Sequence, residues 1–279
     1  MMNLAGRTVI VTGASGGIGV ALCHALVQAG ASIMAVGRNR SRLTTLAAAL
    51  PAGRVHTVVA DLSTSLGRSH LIAAIRQANV APSVLVLGHA QSAFGLFEDQ
   101  HPDELENLLQ TNLVGSALLI HALLPVLRRH EQASVVAIGS TFGSIGFAGF
   151  ATYSASKFGV RGLMEALSRE HDGTGLSFQY LSPRATRTAF NTPAVDALNA
   201  ELKVGSDAPE AVAAALVHAI VQGDRRRQLG WPEKLFARIN GMFPALVDRS
   251  LRAQLPIIRR HASQAQPIHE DASHEATSR

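Results

Sequence analysis

The stretch RTVIVTGASGGIGVALCHALVQAG, residues 7–30, joins a β-branched run, a glycine-rich loop and an apolar helical pattern. The β-branched run at 7–13 predicts a short strand, and the apolar spacing of 17–30 predicts a helix that Gly30 can end. The loop TGASGGIG therefore lies at the first strand-to-helix turn. Glycines there let the backbone approach a pyrophosphate, and the helix start offers free N–H groups. We predict a dinucleotide-binding loop with the following contacts: Gly13, Ser15, Gly17, Ile18 and Gly19.

Strand and helix patterns alternate along the rest of the chain. Further strands are predicted at 31–38, 54–62, 82–90, 134–140, 176–183 and, as a short last one, 226–230. Helices are predicted between them at 40–50, 66–79, 102–130, 153–170 and 209–223. This alternation requires right-handed crossovers and a parallel sheet covered on both faces. We predict one α/β domain over residues 1–230.

Composition fits a folded α/β protein. The chain has 279 residues, of which 47% are apolar, and 24 glycines. Cys23 is its only cysteine, so no internal disulfide can form and a reducing compartment fits. The apolar stretch 117–127 is interrupted by His121 and Pro125, so no membrane-spanning helix is expected. The start of the chain reads as a strand and not as a signal peptide. We expect a cytoplasmic protein.

The positive charge is concentrated near the C-terminus. Residues 225–260 carry nine Arg and Lys against two acids. Aromatic and basic residues do not alternate there as they do in nucleic-acid-binding proteins, so we expect no nucleic-acid partner. No metal-binding residue set is predicted.

Residues 231–260 predict a basic amphipathic helical extension, with Pro244 kinking or dividing it. This extension can pack on its own domain, cover a substrate mouth, pair subunits or rest on an anionic membrane surface. Residues 261–279 are polar and aperiodic, and we predict a disordered tail. The apolar positions of the extension are Leu235, Phe236, Ile239, Met242, Phe243, Leu246 and Val247.

The end of the second predicted strand indicates which cofactor ribose is bound. An acid there would accept a hydrogen bond from the 2′-hydroxyl of NAD, but the chain has Gly37 followed by Arg38. A guanidinium pairs well with a 2′-phosphate, so NADP(H) is favoured over NAD(H), with Ser15 or Asn39 assisting. A solvated surface arginine is the alternative.

Asp61 and Leu62, after the third strand, can frame the adenine of the cofactor. The carboxylate would accept from the exocyclic amine, and the leucine would pack on the ring. A helix N-cap is the alternative for Asp61.

The segment GSTFGSIGFAGFATYSASK, residues 139–157, predicts the chemistry. Tyr153 and Lys157 are four residues apart and share one face of a helix. A nearby cation, together with the positive nicotinamide ring of an oxidised cofactor, favours tyrosinate and so makes a tyrosine a better proton-transfer group. Ser140, at the end of a strand, can hold a substrate oxygen. Asn112, in the pattern QTNLVG, can anchor a water that relays protons from Lys157.

Together these motifs resemble the short-chain dehydrogenase/reductase family over roughly residues 5–225. The resemblance rests on TGASGGIG, the Asp61–Leu62 pair, TNLVG, the spacing of the three polar residues in 139–157, and SPRATRT at 182–188. It implies a doubly wound Rossmann domain with seven parallel strands, an NADP(H)-dependent oxidoreductase, and a homodimer or homotetramer built on two central helices. The implied catalytic set is Asn112, Ser140, Tyr153 and Lys157, and further implied cofactor contacts are Ala90, Tyr153, Lys157, Pro183 and Thr188.

Two sites depart from the family pattern. The family has Asn-Asn-Ala-Gly after the fourth strand, where this chain has Leu87-Gly88-His89-Ala90. This change puts the local sheet hydrogen bonds in question, and His89 is either a packed loop residue or a substrate-side group. The family has glycine after Pro183, where this chain has Arg184. Two roles are open for Arg184: restricting the backbone, or contacting an acidic part of a substrate.

Four phenylalanines suggest an apolar substrate pocket, with core packing as the alternative: Phe142, Phe147, Phe150 and Phe190. Residues 190–204 match the family's substrate lid. We expect carbonyl–alcohol interconversion on a lipophilic substrate. One alternative is reduction of a 3-oxoacyl thioester, with residues 225–260 meeting an acidic carrier protein. Another is a cofactor-bound scaffold or sensor with little turnover.

Overall fold

Seven parallel strands form one sheet in a computed structural model, which describes residues 1–265. The sheet order is β3-β2-β1-β4-β5-β6-β7, which confirms the predicted doubly wound α/β Rossmann fold. The order reverses between β1 and β4, and the crevice outside the carboxyl ends of the strands is where such sheets bind ligands. The strands are β1 (Thr8–Thr12), β2 (Ser32–Gly37), β3 (Val55–Val59), β4 (Pro82–Leu87), β5 (Ala133–Ile138), β6 (Leu176–Ser182) and β7 (Arg226–Gln228).

Ten α-helices cover the sheet and extend from it in the described part of the chain. They are α1 (Gly17–Gln28), α2 (Arg40–Ala48), α3 (Ser65–Gln77), α4 (Pro102–Leu109), α5 (Gly115–Leu127), α6 (Ala151–Glu170), α7 (Pro193–Glu201), α8 (Pro209–Gln222), α9 (Glu233–Met242) and α10 (Pro244–Ala265). The sequence reasoning did not assign α7, which begins at Pro193 after the N-cap Thr192. The segment 190–204, which matches the family's substrate lid, therefore contains a helix.

Two apolar layers hold the helices to the sheet, because successive residues of a strand point to opposite faces. Val9 and Val11 of β1 pack in the layer with α1 and α8, whereas Ile10 packs in the layer with α3, α5 and α6. Both layers consist mostly of fully buried aliphatic side chains. The carboxyl ends of the strands are thereby fixed in space.

The helix predicted at 102–130 is interrupted. A π-helical segment, Gln110–Val114, separates α4 from α5, and the helix ends at Leu127. By length and composition the stretch Pro102–Leu127 could cross a membrane. Here Leu119, Ile120 and Leu123 are buried against the sheet, so the stretch serves as a central core helix.

The extension folds as two helices, as the apolar spacing predicts, and Pro244 begins the second one. The boundary predicted for a disordered tail is wrong at its start. Residues 261–265 belong to α10, because His261 and Ala262 are buried. Residues 266–279 of the predicted tail lie outside the described residues. The domain division at residue 230 stays a prediction.

Candidate active site

A single cavity of about 1070 Å³ runs from the β1–α1 loop, across the carboxyl ends of the strands, to α10. Of the predicted site residues, Asn112 and Lys157 lie behind its wall and all the others line it. The lining members are Gly13, Ser15, Gly17, Ile18, Gly19, Arg38, Asn39, Asp61, Leu62, Ala90, Ser140, Phe142, Phe147, Phe150, Tyr153, Pro183, Thr188 and Phe190. The fold therefore brings the predicted cofactor contacts together with Ser140, Tyr153 and the predicted substrate phenylalanines in one cavity.

Three glycine positions of the β1–α1 loop have room for backbone only. A Cβ on Gly13, whose φ is +67°, would lie 2.6 Å from the carbonyl oxygen of Gly88. A Cβ on Gly19 would overlap the oxygen of Gly13, and one on Gly17 would overlap Thr188. No side chain caps the start of α1, so its first N–H groups are available to an anion. These features fit the diphosphate of a dinucleotide.

The ribose end of the cavity is basic. Arg38 is exposed at the cavity wall directly after β2. Asn39 caps α2, and its side-chain oxygen accepts from the N–H of Arg42 at 3.0 Å. Arg42 also lines the cavity, although the sequence reasoning did not name it. In the sequence, the spacing of four residues between Arg38 and Arg42 could have indicated that Arg42 also lies at the ribose end.

Asp61 lies at the adenine end and does not cap a helix. Its carboxylate accepts from the N–H and hydroxyl of Ser63 at 3.0 and 2.7 Å, while Thr64 is the N-cap of α3. The N-cap alternative is therefore wrong. Burial raises the pKa of Asp61, but the Ser63 hydrogen bonds and the charge of Arg38 outweigh it and leave that pKa below its usual value.

Thr12 and His89 supply the hydrogen bonds that were in question after β4. The Thr12 hydroxyl donates to Val86 O at 3.0 Å and accepts from the N–H of Gly88 at 3.0 Å. His89 Nδ1 lies 2.7 Å from the same hydroxyl, and its Nε2 lies 3.5 Å from Ser116 Oγ. Burial, followed by repulsion from Lys157, lowers the pKa of His89 to about 4. His89 is therefore neutral and both of its ring nitrogens face its own chain, while the residue as a whole is half-buried and also lines the cavity.

Asn112 holds the loop after β4 against α6. Its Nδ2 donates to Gln91 O at 2.9 Å and to Ser156 Oγ at 3.0 Å, and its Oδ1 accepts from the N–H of Gln91 at 2.7 Å. Both amide hydrogens are used. The arrangement favours a positioning role over the predicted role of anchoring a water.

Tyr153 and Lys157 lie near the start of α6, and both are buried. Lys157 Nζ donates to Ile138 O at 3.0 Å and lies 5.7 Å from the centroid of the Tyr153 ring. Ser140 follows β5, and its hydroxyl accepts from the N–H of Phe142 at 3.1 Å. A strand end and one helix face thus bring these three side chains together.

Burial controls the protonation of this pair. It lowers the pKa of Lys157 to about 8. It also raises the pKa of Tyr153 above its usual range, and hydrogen bonding from Ser140 acts in the opposite direction. The expectation that Lys157 and the positive nicotinamide ring of an oxidised cofactor together favour tyrosinate stays a prediction. The phenol keeps its proton at neutral pH and can donate it.

The predicted phenylalanines form the wall beside Tyr153. The Phe142 ring stacks on Phe147 with centroids 5.0 Å apart, and its centroid lies 5.0 Å from that of Phe150. The Phe190 ring lies 6.2 Å from the Tyr153 ring and is 43% exposed. Phe150 is also part of a buried apolar cluster, so the pocket and core-packing interpretations both apply to it.

The C-terminal extension supplies the far wall of the cavity, which sequence reasoning named only as one option. Val247 and Leu251 of α10 line the cavity together with Leu198 of α7. Their spacing within the amphipathic pattern was the available signal. Polar groups also reach this end, namely Asn191, Asn199, Glu233, Ser250 and Gln254.

Arg184 ties the extension to the segment after β6. Its guanidinium donates to both carboxylate oxygens of Asp207, at 2.9 and 2.6 Å, and to Trp231 O at 3.0 Å. It also lies 3.8 Å from Glu233. Because two acids of its own chain engage it, the predicted contact with an acidic substrate is corrected to a structural clasp.

A phosphate loop at the switch point of a doubly wound sheet, with serine, tyrosine and lysine at the adjoining strand and helix, defines a Rossmann-type dinucleotide-binding protein. The family model for short chain dehydrogenase matches residues 7–199. The chain therefore belongs to the short-chain dehydrogenase family of oxidoreductases.

Among relatives, a ketoacyl reductase of Nostoc sp. is 31% identical over 79% of this chain and 77% of its own length. A 3-ketodihydrosphingosine reductase of Bos taurus is 28% identical over 82% of this chain and 73% of its own. The crystal structure of a short-chain dehydrogenase from Streptomyces avermitilis is 29% identical, with a TM-score of 0.75, covering 94% of this chain and 98% of that one. A Burkholderia phymatum structure in complex with NAD is 19% identical, with a TM-score of 0.78 over 88% of this chain and 96% of that one, and shows the same fold.

Proposed function

We propose that this protein is an NADP(H)-dependent oxidoreductase that interconverts a carbonyl and a secondary alcohol on a lipophilic substrate. One observation carries the proposal. Ser140 and a protonated Tyr153 line a cavity that has a phosphate loop at one end and an apolar wall at the other. That arrangement allows a substrate oxygen to meet a proton donor beside a bound dinucleotide.

The nicotinamide cofactor, when bound, supplies or accepts the hydride. The β1–α1 loop and the start of α1 would hold its diphosphate, and Thr188, Pro183 and Ala90 line the same cavity. In the reducing direction, Tyr153 donates its phenolic proton to the substrate oxygen while Ser140 holds that oxygen by a hydrogen bond. Lys157 lies close enough to stabilise the phenolate left behind, which then regains a proton from solvent.

The preference for NADP(H) rests on charge at the ribose end. Arg38 and Arg42 line that end, and Gly37 stands where an acid would accept from a 2′-hydroxyl. Guanidinium groups match a 2′-phosphate. Asn39 and Ser15 are placed to assist, since both line the same part of the cavity.

The lipophilic substrate follows from the opposite end. The four phenylalanines and the aliphatic residues of α7 and α10 form the apolar part of its lining. Reduction of a 3-oxoacyl thioester is a second candidate, supported by the similarity to the Nostoc ketoacyl reductase. A scaffold or sensor with little turnover is the third, and its only support is the two departures at 87–90 and Arg184.

We also propose a cytoplasmic homodimer or homotetramer. Leu118 on α5 and Phe158 on α6 are 43% and 41% exposed, and Val114 between α4 and α5 is 38% exposed. Burying them against a second copy would remove a contiguous set of apolar groups from water. Light scattering on the eluting protein would report the mass.

The test follows NADPH absorbance with a panel of ketones that differ in chain length. Wild type should oxidise NADPH with the long, apolar members, and Tyr153→Phe should lose activity by about 10²- to 10⁴-fold while still binding NADPH. Tyr180→Phe removes the hydroxyl of the other tyrosine, which donates to Lys157 O at 3.1 Å away from the cavity lining. It should lose far less activity. Equal, slow rates in wild type and Tyr153→Phe would favour the scaffold.

A further inference from the structure

The extension carries a cluster of large apolar side chains that the described chain leaves uncovered. We call this cluster the elbow patch, because it surrounds the junction of α9 and α10. Its members and their exposed fractions are Trp231 66%, Leu235 41%, Phe236 42%, Met242 71%, Phe243 56% and Leu246 64%. Six such side chains lie within sixteen residues, and exposed large apolar groups in this number are typical of an interaction site.

The helix α9 is amphipathic, and much of its apolar face stays exposed. Leu235 and Met242 are seven residues apart and share one face of α9, Phe236 lies next to that face, and Phe243 directly follows the helix as its C-cap. No residue of α9 is buried. The side-chain amide of Asn240 donates to Ser144 O at 2.9 Å and holds another side of the helix to the body. The exposed part of the apolar face is therefore left for a partner.

Cations flank the elbow patch. Lys234 and Arg238 are exposed on α9, and Arg249 and Arg252 are exposed on α10. None of these four forms an ion pair with another residue in the described range 1–265. Asp248 is an exposed acid on the same turn, and Glu233 is directed to Arg184. The rim therefore has a net positive charge.

The elbow patch is continuous with the cavity. Phe236 belongs to both, because it is 42% exposed and also lines the cavity. Val247, next to Leu246, and Leu251, one turn further along α10, line the cavity as well. A lipophilic molecule leaving an apolar surface at this patch would move along apolar side chains towards Tyr153.

We propose that the elbow patch docks on an anionic membrane surface, from which the lipophilic substrate enters the cavity. Large apolar groups with Lys and Arg beside them are the chemistry of helices that lie in the membrane interface. The docking stands on the exposed patch alone. The delivery of substrate rests on the proposed function.

Other occupants fit less well. A two-fold pair of these patches would bring the four rim cations against their own copies, which is unfavourable. An acidic carrier protein would match the cations but would leave the apolar side chains of the elbow patch without a matching surface. Residues 266–279 contain one large apolar residue, Ile268, which cannot cover six side chains.

The test is flotation of the full-length protein with vesicles of phosphatidylcholine, with and without about 30% phosphatidylglycerol. Wild type should bind the anionic vesicles and be released as salt shortens the range of the charges. Met242→Ser/Phe243→Ser/Leu246→Ser should weaken binding by about tenfold or more. A matched control, Leu66→Ser/Phe97→Ser, removes apolar groups that are 80% and 59% exposed elsewhere, and should bind as wild type does.

A second variant, Lys234→Gln/Arg238→Gln/Arg249→Gln/Arg252→Gln, should lose the preference for anionic vesicles. Circular dichroism would show that each variant is folded. Absence of binding by folded wild type would overturn the proposal, as would equal binding by the triple serine variant. A dimer in light scattering that the triple variant abolishes would assign the patch to a second copy and also overturn it.

Delivery has a separate readout. The triple variant should show a raised KM for a long-chain ketone presented in anionic vesicles, with an unchanged KM for a short soluble ketone. Unchanged KM for both would overturn delivery. Vesicle binding without any NADPH oxidation would reject the proposed function and leave membrane docking standing.

Discussion

The two ends of the cavity are built in different ways. The cofactor end is formed mainly by segments that follow the carboxyl ends of β1, β2, β3 and β4, and its position is fixed by the same strand pairing that forms the sheet. The substrate end is assembled from four separate parts of the chain: residues 142–150, α7, α9 and α10. Folding the core therefore completes the cofactor end but not the substrate end.

The substrate end depends on side-chain ties between helices. Glu201 of α7 pairs with Arg260 and accepts a hydrogen bond from His261 Nε2 at 2.7 Å on α10. Ile258 packs with Val195 and Leu198 in the same contact. Such ties can be altered without disturbing the sheet, so this end can change its substrate while the fold and the cofactor chemistry stay the same.

Replacing Lys157 should have the largest effect on activity, because this lysine lies beside Tyr153, where the cofactor end and the substrate end meet. Lys157→Met removes the cation beside Tyr153, and we expect kcat to fall by about 10³-fold. The same variant should be more stable at pH 7. Burial lowers the pKa of Lys157 from 10.5 to about 8, so keeping the side chain charged costs the folded state about 3 kcal/mol.

The lowered pKa of Lys157 also determines how the free energy of unfolding of wild type changes with pH. Between pH 8 and 10.5 the unfolded chain holds a proton on this lysine that the folded chain has released, so the free energy of unfolding rises with pH in that window. Lys157→Met should lack this rise. Urea denaturation across the window measures it. A variant less stable than wild type at pH 7 would contradict the account.

His89 tests whether the cofactor end is as rigidly packed as the sheet beneath it. Its pKa is lowered from 6.5 to about 4, so the unfolded chain takes up a proton between these values and the folded chain does not. The free energy of unfolding should therefore fall by up to about 3 kcal/mol as pH drops through this window.

His89→Gln should flatten that fall, as measured by urea denaturation at about pH 7 and pH 4.5. The same substitution at His56, which is exposed on β3, is the control. An identical slope in wild type and His89→Gln would show that the ring titrates freely and that the cofactor end is looser than described.

Arg38 separates cofactor choice from the rest of the cofactor end. Arg38→Ala should weaken NADPH binding by about 10- to 100-fold, because it removes charge-assisted hydrogen bonds to the 2′-phosphate, and should leave NADH binding nearly unchanged. Titration calorimetry with both cofactors measures the split. Arg40→Ala is the matched control, since Arg40 begins α2 but does not line the cavity. Equal losses for NADPH and NADH would remove Arg38 from the ribose site.

A smaller effect is expected at the substrate end. Leu251→Trp fills the α10 wall and should raise KM for a long-chain ketone about tenfold, with little change for a short one. Ala253→Trp, on the exposed side of the same helix, should change neither value. If Leu251→Trp altered cofactor binding as much as substrate binding, the two ends would not be independent.

The sequence predicts the residues of the cofactor end better than those of the substrate end, and the reason is physical. A phosphate loop needs glycines at set positions between a strand and a helix, and Tyr153 and Lys157 need one helical turn, so local spacing reveals both. The wall residues Leu251 and Gln254 are more than ninety residues beyond Tyr153 along the chain, and only tertiary packing brings them to it. Their pattern predicts an amphipathic helix without showing what it faces.

The prediction that Arg184 contacts a substrate was wrong for the same reason, since its partners are distant in sequence. Arg184 carried a sequence signal as a departure from a family glycine, but its partners Asp207 and Trp231 are 23 and 47 residues away. Burial of Tyr153 likewise depends on the rings packed around it, so its raised pKa could not be read from the spacing to Lys157.

The central claim is that one cavity joins a dinucleotide at the phosphate loop to a carbonyl at Tyr153. NADPH deuterated at the transferable position of the nicotinamide, incubated with a long-chain ketone, tests this most directly when the alcohol is analysed by mass spectrometry. The account predicts one deuterium at the carbinol carbon with wild type and a loss of labelled alcohol by about 10²-fold or more with Tyr153→Phe. Unlabelled alcohol from wild type, or equal labelling by Tyr153→Phe, would contradict it.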